Sequence, residues 1–106
     1  MKKGGVVGIS AKRELKEFGQ RIKLARIKRK ISTAMVCERA GISRSTLWHI
    51  EQGEPTVAIG SYVAVLHALG GLDRELKKLL AEDLTGDQLL ENELLKKRIR
   101  YAGEKK

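Results

Sequence analysis

Apolar residues recur at steps of three and four positions along most of the chain, which is the spacing of one helical face. The first such run predicts a helix over about residues 11–30. Its apolar stripe consists of Leu15, Phe18, Ile22 and Ala25. Lysine and arginine cover most of the remaining surface, so this helix is expected to pack by one face only.

Two short helices are predicted next, over residues 33–40 and 44–52. Ser32 and Ser43 precede them and are expected N-caps, because a serine hydroxyl can accept a hydrogen bond from a free first-turn amide. Gly41 is expected to end the first of the two in the left-handed conformation. The expected inward residues are Val36, Cys37, Ala40, Leu47 and Ile50. Two short helices joined by a turn that contains glycine describe a helix-turn-helix.

The second half of the chain predicts further helices. One is expected over residues 57–69, and another through about Glu82 with Asp73 as its cap. The apolar face of the former is assigned to Ile59, Val63, Leu66 and Leu69. The segment after Leu84 predicts either a sixth helix or a partly ordered tail. The expected fold is therefore all-α, with an N-terminal arm (1–11), a helix-turn-helix domain (12–82) and a C-terminal extension (83–106).

The second short helix has a polar side that differs from an ordinary surface helix, which would carry Lys and Glu. The residues that fall within a sector of about 100° on this side are Ser45, Trp48, His49 and Gln52. They lie opposite Leu47 and Ile50. Such short or planar groups can hydrogen-bond and make flat contacts, which indicates a surface built to be covered. A core or dimer contact through Trp48 is the alternative.

In a helix-turn-helix the second helix lies in the major groove of DNA, with its N-terminal residues facing base edges. Arg44, at the start of the helix, can reach a guanine or a phosphate, and Ser45 and His49 can reach bases. Gln52 and Thr33 lie at the margins and are expected to contact phosphates. The outward side thus predicts binding to double-stranded DNA.

Glu51 falls beside Leu47 on the inward side of the same helix, so its carboxylate should be at least partly buried. A buried carboxylate needs a partner, and Arg26 on the first helix is the candidate. This pair would be structural, not catalytic. An exposed Glu51 is the alternative.

The charge of the chain favours a polyanionic partner. The formal net charge is +9, and residues 1–30 alone hold eleven Lys and Arg against two Glu. A strongly basic small domain attracts nucleic acids or anionic membranes. Membrane binding by the basic first helix would leave the glycine turn and the polar side unexplained, so no membrane association is expected. A pure protein-interaction module is a further alternative, and steep salt dependence would single out DNA binding.

Metal, cofactor and catalytic chemistry are not predicted. Cys37, His49 and His67 have a spacing that fits no zinc pattern, and no nucleophile can be matched with a base. We therefore expect no enzyme activity, no cofactor and no metal. The single cysteine and the lack of both a signal peptide and an apolar run of about 20 residues make the cytoplasm the expected location.

Residues 18–70 resemble the helix-turn-helix of the XRE family, which is related to the phage Cro and CI repressors. The resemblance is carried by Phe18 and Gly19, by Arg26, and by the stretches "AGISRST" and "IEQG". It implies a five-helix, lambda-repressor-like domain that binds operator DNA as a homodimer. It also supports pairing of Arg26 with Glu51. The implied base contacts are Arg44, Ser45 and His49, and the implied phosphate contacts are Thr33, Ser43, Thr46 and Gln52.

Two positions depart from the XRE pattern. Most relatives have Gln where Thr33 stands, so a phosphate contact from this site would be shorter. Many have Ser or Thr as the cap of the fourth helix, where this chain has Ala58. The boundary of that helix is therefore open.

The expected function is a transcriptional regulator, a repressor that reads an inverted repeat as a dimer. Lys28 and Trp48 are expected to add contacts to the DNA backbone. More leucines occur after residue 75 than a five-helix core can bury, and we expect them to form the dimer contact. They are Leu76, Leu79, Leu80, Leu89, Leu90 and Leu94.

A narrower resemblance extends past the motif. The stretches "GEPTVAIGSYVAVLHALG" and "LTGDQLLENELLKKRIR" are similar to HipB-type antitoxins and to XRE regulators encoded beside HipA-type kinase toxins. This resemblance implies a chain that represses its own operon and holds a kinase toxin in complex. An antitoxin is thus the alternative to a free-standing regulator.

Overall fold

The computed structural model describes the backbone of residues 7–104 and the side chains of residues 7–100. This range contains five α-helices and one 3₁₀ helix, with no β-strand, which confirms the all-α prediction. The α-helices are α1 Ile9–Lys28, α2 Thr33–Ala40, α3 Arg44–Glu51, α4 Ile59–Ala68 and α5 Leu84–Glu104, and the 3₁₀ helix is Leu72–Lys78. The chain divides into two compact units, one ending at Arg74 and the other beginning at Glu75.

Helices α1 to α4 surround the hydrophobic core of the first unit. Helix α2 packs against α3 and α4, and α1 packs against α3. The buried apolar residues are Ile22, Val36, Cys37, Leu47, Ile50, Tyr62, Val65, Leu66, Ala68 and Leu69. Burial of one valine, leucine or isoleucine side chain contributes about 1.5–3 kcal/mol to the stability of the fold. The shared core therefore fixes α2 and α3 relative to α1 and α4.

The boundaries of α2 and α3 are set locally, as the sequence predicts. The Ser32 hydroxyl accepts a hydrogen bond from Met35 N at 3.1 Å, and the Ser43 hydroxyl accepts one from Thr46 N at the same distance. Gly41 follows α2 with φ of 68°, and its amide donates to Cys37 O. A residue with a Cβ is strained in that left-handed conformation. The predicted caps and the predicted glycine turn are confirmed.

Helix α4 begins at Ile59, later than the expected start near residue 57. Ala58 occupies the N-cap position and has no side chain that could accept a hydrogen bond from the first turn. Ile59 itself is 76% exposed, so its assignment to the apolar face of the helix is wrong. The apolar stripe therefore begins one turn further along than the sequence suggests.

Tyr62 occupies the inward position at the start of that stripe. Its ring stacks on Phe18, with the ring centroids 5.7 Å apart. Its hydroxyl donates to the backbone carbonyl of Glu54 at 2.7 Å. Burial, together with the nearby Glu54 carboxylate, raises the pKa of Tyr62. The phenol thus stays protonated and ties α4 to the loop that follows α3.

The expected fifth α-helix, capped by Asp73 and extending to about Glu82, is wrong. The chain instead forms the 3₁₀ helix, none of whose residues is buried, and Leu80 adopts a φ of 61°. A short helix is marginal in water without a packed apolar face, and 3₁₀ geometry is common in such short connecting pieces. Asp73 lies within the 3₁₀ helix, where its Oδ1 is 3.2 Å from His67 Nδ1.

The two ends of the described chain are helical. Helix α5 extends from Leu84, so the sixth helix is the correct one of the two alternatives for this segment. Its exposed apolar residues are Leu84, Leu89, Leu90, Leu94, Leu95 and Ile99. At the other end, residues 9–11 of the expected arm belong to α1, and residues 1–6 lie outside the described residues. None of the described helices is both long enough and apolar enough to cross a bilayer.

Candidate nucleic-acid interface

Helix α3 is held against the core by one side. Leu47 is 2% exposed, and Ile50 is fully buried between the helices of the first unit. The same side carries Glu51, which is 8% exposed. These three residues recur at steps of three and four, so they fix the rotation of α3 about its own axis. The opposite side of α3 therefore faces away from the core.

The outward face of α3 consists of Arg44, Ser45, Trp48, His49 and Gln52. His49 is half-buried and the other four are exposed, Trp48 by 57%. The Trp48 and His49 rings meet edge to face, with centroids 5.1 Å apart and planes at 82°. This contact limits the freedom of both rings. The face therefore presents a guanidinium, a hydroxyl, an imidazole and an amide, all of which can hydrogen-bond to base edges or phosphates.

Three further predicted contact residues lie around the start of α2 and α3. Thr33 is exposed in the first turn of α2. Ser43 is exposed, and besides capping α3 its Oγ lies 2.9 Å from Thr46 Oγ1. Thr46 is half-buried. Both hydroxyls of this pair are thus oriented by the chain itself, and each retains hydrogen-bonding capacity for a ligand.

Arg26 and Glu51 join α1 to α3 through a bidentate ion pair. Arg26 Nε donates to Glu51 Oε2 at 2.7 Å, and Arg26 Nη2 donates to Glu51 Oε1 at 3.2 Å. The Arg26 side chain is 13% exposed. Arg26 Nη1 also donates to Ile31 O at 3.4 Å, so the same side chain reaches the loop before α2. Planar, two-bond pairing fixes orientation as well as distance, and it fixes the last turn of α3.

A backbone contact that the sequence analysis missed lies beside this pair. A Cβ added to Gly19 of α1 would come within 2.6 Å of Gly53 N and of Ile50 O. A Cβ added to Gly53 would collide with the backbone of Leu15 and would come within 2.6 Å of Lys16 Cα. Only glycines permit so close an approach. The end of α3 thus rests directly on the backbone of α1, and the recurrence of glycine at 19 and 53 was the available signal.

The arrangement is two short helices at a glycine turn, with the second pinned by its inner side and exposed on its outer side. The family model described as a helix-turn-helix domain matches residues 17–80. The chain belongs to the helix-turn-helix family. A search of curated proteins found no match.

Membership of the helix-turn-helix family supports a DNA-binding protein. The matched segment begins in α1 and contains α2, α3, α4 and the 3₁₀ helix, so it includes the whole outward face. Lys28, in the last turn of α1, is also inside it and is exposed. The helix-turn-helix thus carries every predicted contact residue. Among the described residues, no three His, Cys, Asp or Glu side chains come together as a metal site.

Proposed function

We propose that this helix-turn-helix protein is a sequence-specific transcriptional regulator that reads DNA with α3. The observation that carries the proposal is the division of α3 into a buried side and the exposed outward face. Arg44 and Ser45 lie in its first turn, where base contacts are made in such motifs, and His49 follows one turn later. Arg44, Ser45 and His49 are the proposed base contacts.

Contacts to the DNA backbone would position that face. We assign them to Trp48 and Gln52 of the outward face, to the hydroxyl residues at the starts of α2 and α3, and to exposed Lys28 at the end of α1. The hydroxyl residues are Thr33, Ser43 and Thr46. Contacts of this kind set register and affinity without reading sequence. They also make binding fall steeply as salt rises, because each neutralised phosphate releases counterions.

The two kinds of contact are separated by a pair of variants. A duplex enriched from a random pool by the wild-type protein serves as the specific ligand, and its scrambled version as the non-specific one. Arg44→Ala should raise the Kd for the enriched duplex by about 5- to 150-fold, which corresponds to about 1–3 kcal/mol, and leave the scrambled one nearly unchanged. Lys28→Ala should weaken both duplexes alike and reduce the salt slope by about 0.9. Titration by fluorescence anisotropy measures both, and identical behaviour of the two variants would contradict the assignment.

We further propose that the regulator is a homodimer that binds an inverted repeat. Support comes from two groups of apolar residues around the axis of α5. At 100° per residue, Leu84, Leu95 and Ile99 fall within a sector of about 60°. Leu90 and Leu94 fall within a second sector of about 40°. All five are exposed, and a second copy of the chain would cover them. Two recognition helices related by a twofold axis would then contact half-sites about 34–36 Å apart. In this proposal the regulator acts as a repressor.

Dimerisation is tested by sedimentation equilibrium. Wild-type protein should sediment as a dimer, and Leu94→Lys/Leu95→Lys should sediment as a monomer with unchanged helix content. The variant should also lose preference for an inverted repeat over a single half-site. Lys96 is exposed on the same helix and lies at least about 60° from each of the five apolar residues, so Lys96→Gln is the matched control and should remain a dimer. Wild-type protein that stays monomeric at high concentration would contradict the homodimer.

An antitoxin remains the second candidate, favoured by the same exposed leucines. A HipA-type kinase toxin could cover them in place of a second copy. The test is a co-purification of the chain with the product of the adjacent reading frame, if that frame encodes such a kinase. A stable complex whose formation is abolished by Leu94→Lys/Leu95→Lys would favour the antitoxin.

A further inference from the structure

A groove of about 580 Å³ lies between the first half of α1 and the loop that follows α3. Lys12 and Lys16 line one side, and Gln52 with residues 53–56 lines the other. We name it the lysine groove. Both lysines are exposed, and neither forms an ion pair with any residue that the structure describes. Two ammonium groups are thus free to bind an anion.

The lysine groove is continuous with the outward face of α3, because Gln52 belongs to both. Their relative position is fixed by backbone packing. Gly53 rests against the backbone of Leu15 and Lys16, so the lysine side of α1 cannot move away from the end of α3. A duplex that lies on the outward face would therefore pass beside the groove.

Three lysines of α1, two of them in the groove, lie on a different side of the helix from its acidic residues. At 100° per residue, Lys12, Lys16 and Lys23 fall within a sector of about 40°, whereas Glu14 and Glu17 lie at least about 100° away from it. Glu54 is the acidic residue among those that line the groove. Its negative charge repels an anion. Removing the Glu54 charge should therefore strengthen anion binding in the groove, whereas removing a lysine should weaken it.

We propose that the lysine groove binds phosphates of the DNA backbone immediately outside the base pairs that α3 reads. This inference rests on the proposed function and adds Lys12 and Lys16 to its contacts. The groove extends the contacted length of duplex beyond the half-site. It contributes affinity that does not depend on base sequence.

The test compares Lys12→Gln/Lys16→Gln with wild type on two forms of the enriched duplex, one with long flanks and one trimmed to the base pairs protected by α3. On the flanked duplex, the slope of log Kobs against log salt should decrease in magnitude by about 0.9 for each lost phosphate contact. On the trimmed duplex the two proteins should have the same slope. Glu54→Gln should tighten binding to the flanked duplex only.

Arg21→Gln is the matched control, since Arg21 is exposed on α1 and lies about 140° from Lys16. It removes one charge without touching the groove, and its slope should match that of wild type on both duplexes. Equal slope loss on the flanked and trimmed duplexes would overturn the proposal, because the lysines would then act through general attraction. An unchanged slope on the flanked duplex would overturn it as well. Failure of the proposed function is a separate result, in which wild type binds enriched and scrambled duplexes alike.

Discussion

Replacing Arg26 with leucine is expected to lower the free energy of unfolding by about 3–5 kcal/mol, because it leaves a buried carboxylate without a partner. Glu51 is 8% exposed, and its two oxygens accept from Arg26 at 2.7 and 3.2 Å. Without the guanidinium, no described side chain donates to that carboxylate in its place. Urea denaturation followed by circular dichroism at 222 nm measures the loss.

Two controls distinguish this effect from the loss of an ordinary ion pair. Glu75→Gln removes one partner of the exposed Lys78–Glu75 pair, whose atoms lie 3.2 Å apart, and should leave stability nearly unchanged. Arg26→Leu/Glu51→Leu removes both charges and should be more stable than Arg26→Leu alone. If the double variant were the less stable of the two, the cause would be lost packing and not an unpaired charge.

The pair also connects stability to DNA binding. Glu51 is the last residue of α3, and Arg26 reaches both Glu51 and the loop before α2. A loosened pair would free the end of α3 while its start stays capped by Ser43. We therefore expect Arg26→Leu to weaken DNA binding even at temperatures where the domain stays folded.

Local signals made α2 and α3 predictable from the sequence. The serine caps and Gly41 act within three or four residues of the helix ends that they define, so neighbouring residues alone determine them. The inward side of α3 was equally predictable from the sequence, because Leu47 and Ile50 lie on one face of a helix whose start Ser43 marks. Pairing of Arg26 with Glu51 followed from the physical need of a buried carboxylate, although 25 residues separate the two.

The predictions failed where packing overrides local pattern. An α-helix was expected after Asp73, yet none of the residues of the 3₁₀ helix is buried, and Leu72 at its start is the one that packs against the core. Ile59 and Tyr62 lie one turn apart in α4, and hydrophobicity alone favours Ile59 as the inward residue. The core selects Tyr62 because its ring has Phe18 to stack on and its hydroxyl has Glu54 O to bind. Neither partner can be deduced from the sequence of α4.

The contact of Gly19 with the end of α3 was missed for a different reason. Gly19 lies within an otherwise regular helix, where a glycine is disfavoured by about 1 kcal/mol relative to alanine. A single sequence does not show which distant backbone fills the space beside it. In the structure that backbone is the end of α3, and the position of the outward face depends on the contact.

Gly19→Ala is accordingly expected to destabilise the domain by at least about 2 kcal/mol, towards the upper end of the range for overpacking. The new methyl would lie 2.6 Å from Gly53 N, 2.6 Å from Ile50 O and 2.8 Å from Glu51 O. All three are backbone atoms, which cannot rotate away, so α3 must shift relative to α1. The shift displaces the outward face, and affinity for the enriched duplex should fall together with stability.

Gly60→Ala is the matched control, because Gly60 lies in α4 with nothing within 4 Å of its added Cβ. Helix propensity favours alanine there, and because Gly60 lies in the first turn of α4 the gain should be smaller than in a helix interior, at most about 0.5 kcal/mol. The same glycine-to-alanine substitution is thus expected to lower the free energy of unfolding at position 19 and to raise it at position 60. Thermal unfolding and duplex titration of both variants provide the comparison. Stabilisation by Gly19→Ala with unchanged DNA affinity would mean that the backbone contact between α1 and α3 does not determine where the outward face lies.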